Sequence, residues 1–218
     1  MLDKIYYRLV RRQITAKDEQ NQYSGGWWPR LVREAAAGLY AGETGRMVEL
    51  GCGEGLFLAK LATANPRADL YGLDLSEDLL EQAKTRLTGH LNMHLSPGNA
   101  LRTDFPDAFF DHCFCLNVII NLPGLSSVEQ LFSEVHRILK PGGTFIFDFR
   151  NALSPIIQLQ YRLARFYDTG LSVPLRAYLP RTASRIARRH DLEPKSRIPL
   201  GIPKNLFAPA MLFVVEKK

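Results

Sequence analysis

The chain predicts an α/β fold in three layers, a mostly parallel sheet with helices on both faces, and three observations carry that reading. Five apolar runs of strand length fall between residues 46 and 150, most of them separated by runs with helical period. The first strand passes into the first helix through glycines at every second position, Gly51, Gly53 and Gly55. Two further strand-like runs close the chain, 192–200 and 210–217, and the short loop between them suggests an antiparallel hairpin.

Residues 1–45 read as helical, with a break near Ser24-Gly25-Gly26. Trp27, Trp28, Leu31 and Val32 share one helical face, and Pro29 suits a first turn. With Tyr6, Tyr7 and Tyr23 they make this end aromatic, which fits either core packing or a lid over a pocket. Strand, glycine turn and helix run from Arg46 to about Ala64, where Pro66 stops the helix. The second strand is 69–74. Ser76 then caps a helix whose acids Glu77 and Asp78 and bases Lys84 and Arg86 complement its dipole, and Gly89 closes it. A third strand is read at 91–95 and a fourth at 111–118. Ser126 with Glu129, or Ser127 with Gln130, has capping-box spacing for a helix through Leu139, whose apolar face is Val128, Leu131, Val135 and Ile138. Pro141-Gly142-Gly143 ends that helix, and the fifth strand is 144–149. Beyond it, 151 to about 168 reads as a helix carrying Tyr161, Arg162 and Arg165. Residues 173–179 read as extended and 180–190 as a second basic helix. The organisation expected is an N-terminal cap over 1–45, a ligand-binding core over 46–150, a basic insertion on the substrate side over 151–190, and a closing strand pair over 191–218.

Composition narrows the function. No run approaches the ~20 apolar residues of a membrane-spanning helix, and the first residues lack a signal-peptide layout. Three cysteines, Cys52, Cys113 and Cys115, give neither a disulfide framework nor a zinc pattern, so a reduced cytoplasmic protein without a metal site is expected. The net charge of +6 is uneven: +3 over residues 1–40, −5 over 41–150 and +8 over 151–218. Basic ends suit an anionic acceptor or partner, or are simply a solvated surface.

The glycine turn identifies the ligand class. A dinucleotide fingerprint requires a third small residue where this chain has Leu56. The spacing here is E-x-G-x-G-x-G, and Asp74 closes the second strand nineteen residues after Gly55, placed to accept from ribose hydroxyls. With Gly98-Asn99-Ala100 following in order, Val48-Glu49-Leu50-Gly51-Cys52-Gly53-Glu54-Gly55 and Leu70-Tyr71-Gly72-Leu73-Asp74-Leu75-Ser76 resemble the first two motifs of the class I S-adenosylmethionine-dependent methyltransferases. Leu139-Lys140-Pro141-Gly142-Gly143 resembles that family's approach to its fifth strand.

The resemblance covers residues 46–150. It implies a seven-stranded sheet, parallel except for the last strand, and S-adenosyl-L-methionine bound across the strand ends by Glu49, Gly51, Cys52, Gly53, Gly55, Asp74, Leu75, Asn99, Ala100 and Asn117. Glu49, Gly51 and Gly53 line the methionine side in this reading, Asp74 holds the ribose, and Leu75 packs on adenine. Asn99 replaces the aspartate common in the family, and its amide oxygen can still accept from the adenine amino group. Asn117 lies where the family lines the transfer site. Asp148, Arg150 and Tyr161 are candidates for catalysis on the acceptor, while His94 and His112 read as structural. The expected reaction is in-line methyl transfer to O, N or C of a small or amphipathic, possibly anionic, acceptor. RNA or protein methylation, a non-catalytic cofactor-binding subunit, aminopropyl transfer and, less favoured, a nicotinamide oxidoreductase are the alternatives. No Asn/Asp-Pro-Pro-aromatic motif follows the fourth strand, which disfavours adenine-amino methylation, and the +8 end keeps nucleic acid open.

Overall fold

A computed structural model describes residues 27–159, 162 and 176–218. The described helices are α1 (Trp27–Leu39), α2 (Leu56–Ala64), α3 (Glu77–Arg86), α4 (Leu125–Ile138) and α5 (Pro180–Arg189). The strands are β1 (Gly45–Leu50), β2 (Ala68–Asp74), β3 (Met93–Pro97), β4 (Phe110–Cys115), β5 (Leu139–Asn151), β6 (Ala177–Tyr178), β7 (Leu192–Leu200) and β8 (Ala210–Lys217). They form one sheet in the order β3-β2-β1-β4-β5-β8-β7. Only β8 runs against the others, because it is antiparallel to both β5 and β7. The two-residue β6 is an addition to the seven expected strands. It pairs with Arg150 and Asn151 on the side of β5 that β4 has vacated.

Alternation along the strands divides the core. Val48, Leu50, Phe145, Phe147, Phe149 and Phe213 face α4 and α5, with the phenyl rings of 147, 149 and 213 stacked on one another. Met47, Leu70, Phe114, Ile146 and Leu212 face α1, α2 and α3. Val32 and Ala36 of α1 are wholly buried there, so the described part of the expected N-terminal cap is a core helix; residues 1–26 lie outside the described residues. Likewise α5 buries Ala183, Ile186 and Ala187 and turns its arginines outward. Among the described residues no helix is long and apolar enough to cross a membrane. The three cysteines are free and buried.

Several boundaries differ from the sequence reading. β3 begins at Met93, since the edge strand leaves Leu91 outside the sheet, 96% exposed. β4 stops at Cys115, because Asn117 adopts φ 59 and the chain coils into a 3-10 turn over Ile119–Asn121. α4 starts at Leu125: its first helical bond runs from Val128 N–H to Gly124 O, so Ser126 and Ser127 lie inside the first turn and cap nothing. The Pro141-Gly142-Gly143 stretch lies within β5 as a bulge, where pairing jumps from Phe110–Leu139 to His112–Thr144.

Candidate functional site

Odd positions in β1 and even positions in β2 face α1–α3, which places Glu49 and Asp74 on that side of the sheet, at the edge where the strands end. Between them the glycine turn folds on itself. Gly51 N–H and Cys52 N–H both donate to Leu73 O, at 2.7 and 3.1 Å. Gly53 N–H donates to Asp74 Oδ2 at 2.8 Å, and Gly55 N–H to Cys52 O at 3.0 Å. Asp74 Oδ1 accepts from Ser76 N–H at 2.9 Å, so the carboxylate is pinned by one amide on each oxygen. Each oxygen keeps acceptor capacity for a hydroxyl.

The glycines have distinct reasons. A Cβ on Gly51 would sit 2.4 Å from Val118 Cγ2, so the turn and the loop after β4 meet through bare backbone. Gly53 has φ 53 and no atom within 4 Å of where its Cβ would stand, so it presents main chain to open space.

Glu49 decides which ligand suits that space. Its carboxyl group lies buried beside the main-chain N–H of Leu58, so an acidic side chain of the protein stands at the positive end of α2. Burial pushes its carboxyl well above the usual range; the Arg33 guanidinium opposes this and the Asp74 charge adds to it. Glu49 Oε2 is buried and has no hydrogen-bond partner among the described residues. A pyrophosphate requires free amides and a positive helix end. Here four amides of the turn are engaged and two acidic side chains stand beside it, which disfavours a phosphate and suits a ligand with positive charge and hydroxyls.

The loop after β4 completes the edge. Asn117 N–H donates to Asp148 Oδ1 at 2.5 Å, Asn121 Nδ2 donates to Asn117 O, and Asn117 Oδ1 is buried without a partner among the described residues. Arg150 Nη1 lies 3.3 Å from Asp148 Oδ2, and its guanidinium stands 5.8 Å over the Trp28 ring. Burial raises the Asp148 carboxyl, against the pull of Arg150 and of the Asn117 amide. Asp148 thus acts as a strut, with Oδ1 engaged by the Asn117 amide and Oδ2 by Arg150. Tyr161 lies outside the described residues. Asn99 Oδ1 accepts from Leu101 N–H at 2.9 Å, an Asx turn that leaves one lone pair for a ligand, with Ala100 half-buried beside it and Leu75 half-buried after Asp74. Cys52 contributes its backbone; burial raises its thiol well above the ordinary range. His94 stacks on Tyr71 and His112 Nδ1 meets Thr144 Oγ1 at 2.8 Å, both within the framework.

Sequence reasoning missed Arg33 and Glu54. Arg33 reaches the site from α1 with no motif to mark it. Glu54, 2% exposed, meets Arg86, whose Nη2 lies 3.5 Å away and whose Nη1 donates to Glu54 O. An acid between two glycines of a buried turn was the available signal for a cation partner. Among the described residues no cluster of His, Cys, Asp or Glu could hold a metal ion.

Residues 48–147 match the family model described as a methyltransferase domain. Over those residues the chain is similar to methyltransferases. It is 29% identical over 168 residues to a demethylmenaquinone methyltransferase of Symbiobacterium thermophilum, covering 75% of this chain and 62% of that relative. A malonyl-[acyl-carrier protein] O-methyltransferase of Legionella pneumophila is 32% identical over 102 residues, 47% of this chain and 35% of the relative. The chain therefore spans less than two thirds of either. A crystal structure of an S-adenosylmethionine-dependent methyltransferase from Thermotoga maritima, described as a possible histamine N-methyltransferase, shares the fold. Its TM-score is 0.69 at 18% identity, over 98% of this chain and 100% of that one. S-adenosylmethionine would fit the residues present: open main chain at Gly53, the buried unpartnered Glu49 Oε2 and Asn117 Oδ1, and the pinned Asp74 carboxylate match the chemistry of its ammonium and its ribose.

Proposed function

We propose that the protein transfers a methyl group from S-adenosylmethionine to a small amphipathic acceptor, and that Glu49, the glycine turn, Asp74, Leu75, Asn99, Ala100 and Asn117 hold the cofactor. The observation that carries this is the combination of engaged turn amides with a carboxylate at the α2 N-terminus, an arrangement hostile to phosphate and suited to a sulfonium nucleoside. When bound, S-adenosylmethionine supplies a methyl carbon already activated by its positively charged sulfur. The chain's own contribution is alignment. Asp74 fixes the ribose, Glu49 pairs with the ammonium, and Asp148 holds the Asn117 loop at φ 59 so that its side chain faces the transfer edge.

The names of the relatives support an acceptor with apolar character, since one is named for demethylmenaquinone and another for a malonyl-acyl carrier. The test is transfer of labelled methyl from S-adenosylmethionine into cell extract split into lipid, small-metabolite, protein and RNA fractions. Label in the lipid or metabolite fraction is expected. Label confined to RNA, or to proteins other than an acyl carrier, would refute the acceptor class, and cofactor binding without label anywhere would indicate a non-catalytic subunit.

A further inference from the structure

Ten large hydrophobic side chains are exposed among the described residues, and they are not scattered. Leu153, Ile156 and Leu159 follow the end of β5. Ile202, Leu206 and Phe207 stand on the loop that joins β7 to β8. Arg150 and Leu200 both pair with Ala210, so these two segments leave the sheet side by side at the edge that carries the cofactor site. The exposures are substantial, 79% for Ile202 and 60% for Leu159. Ile156 and Leu159 lie three apart in a stretch of helix that starts at Pro155, and therefore share a face.

The apolar groups are held in place. Asn151 is wholly buried and donates from Nδ2 to Leu206 O at 2.7 Å and to Ala208 O at 2.9 Å. Its main-chain N–H donates to Pro209 O at 2.9 Å. One amide thus staples the two segments together beneath a surface that faces water. Charge on these segments has one sign: 151–159, 176–182 and 200–209 contain Arg176, Arg181 and Lys204 and no carboxylate. The two exposed cations, Arg181 and Lys204, are joined by exposed Arg162.

We propose that this edge docks on an anionic lipid bilayer, with the apolar groups entering the headgroup region and the cations meeting lipid phosphates. Charge complementarity favours that occupant, since a second copy of the chain would set cation against cation. Docking would bring a lipid-soluble acceptor to the transfer edge, and to that extent it rests on the methyl-transfer reading; the binding itself does not.

The test is co-sedimentation of the full chain with vesicles of phosphatidylcholine, with and without phosphatidylglycerol. Binding to the anionic vesicles is expected, weakened by salt and reduced roughly tenfold or more by Leu159→Asp with Ile202→Asp. Leu91→Asp, at the opposite edge of the sheet, should leave it unchanged. Absence of binding, or equal loss in Leu91→Asp, overturns the proposal. So does a dimer in light scattering that the edge variants dissociate, which would make the face a contact between copies. S-adenosylmethionine titration of the same variants separates the two readings. Normal cofactor binding without vesicle binding removes only the docking; vesicle binding without cofactor binding removes only the methyl transfer.

Discussion

Asp74 and Glu49 lie a few ångströms of backbone apart on neighbouring strands, yet their surroundings give them different tasks. Asp74 is pinned by two amides and offers its remaining lone pairs to hydroxyls. Asp74→Ala should weaken S-adenosylmethionine by about 1–3 kcal/mol, the cost of losing charge-assisted hydrogen bonds, in a chain that still folds; calorimetric titration measures it. Glu49, raised by burial, holds its proton above the ordinary carboxylate range of ~4.3. An ammonium ligand needs the ionised form, so affinity should climb as pH rises through that raised pKa and then level off. Glu49→Gln should bind weakly at every pH, with the slope gone. Glu134 behaves oppositely. Burial would raise its carboxyl, but hydrogen bonds from Arg137 and from Thr103 outweigh this and hold it below the usual range. The stability it contributes is present above its unfolded pKa and is lost as pH falls through the lower, folded one. Glu134→Gln should therefore cost about 1–3 kcal/mol at neutral pH, with the gap to the parent closing in acid, read from urea unfolding across pH.

The elements separate helix starts that look alike in sequence. Ser76 precedes α3, and its Oγ accepts from Leu79 N–H at 3.3 Å. Ser126 and Ser127 also precede an amphipathic run with an acid or amide three residues on, but the loop enters α4 through Gly124 and leaves both serines inside the helix. Ser76→Ala should destabilise by ~1 kcal/mol, whereas Ser126→Ala and Ser127→Ala should stay within about 0.5 kcal/mol. What distinguishes them is where the chain arrives from, and no local spacing records that. The same limit explains β4 and β5. Asn117 leaves the extended conformation because the strut from Asp148, distant in sequence, holds its amide, and the Pro-Gly-Gly bulge exists because β4 pairs on both sides of it. The closing strands β7 and β8 were readable to the residue, β8 from its nearly continuous apolar run.

At the scale of the molecule, the alternation of strands and helices follows from apolar runs and glycines, and so was legible; the candidate site was legible where main chain makes it. Gly51, Gly53, Gly55 and Asp74 converge as their spacing implies. Arg33 and the state of Asp148 were not, because both depend on side chains meeting across layers that only the packed structure defines. The charge asymmetry shows the same dependence: the basic C-terminal third places its arginines on the outer face of α5 and its exposed cations beside an apolar edge, which counting charges along the chain does not reveal. The central claim is that the turn between β1 and α2 accepts a cationic nucleoside and refuses a pyrophosphate. Titration calorimetry of the full chain with S-adenosylmethionine and with NAD, for the parent and for Asp74→Ala, tests it most directly. Saturable binding of S-adenosylmethionine, weakened about tenfold or more by the substitution, and no binding of NAD is the predicted result. Binding of NAD, or S-adenosylmethionine affinity indifferent to Asp74, would contradict it.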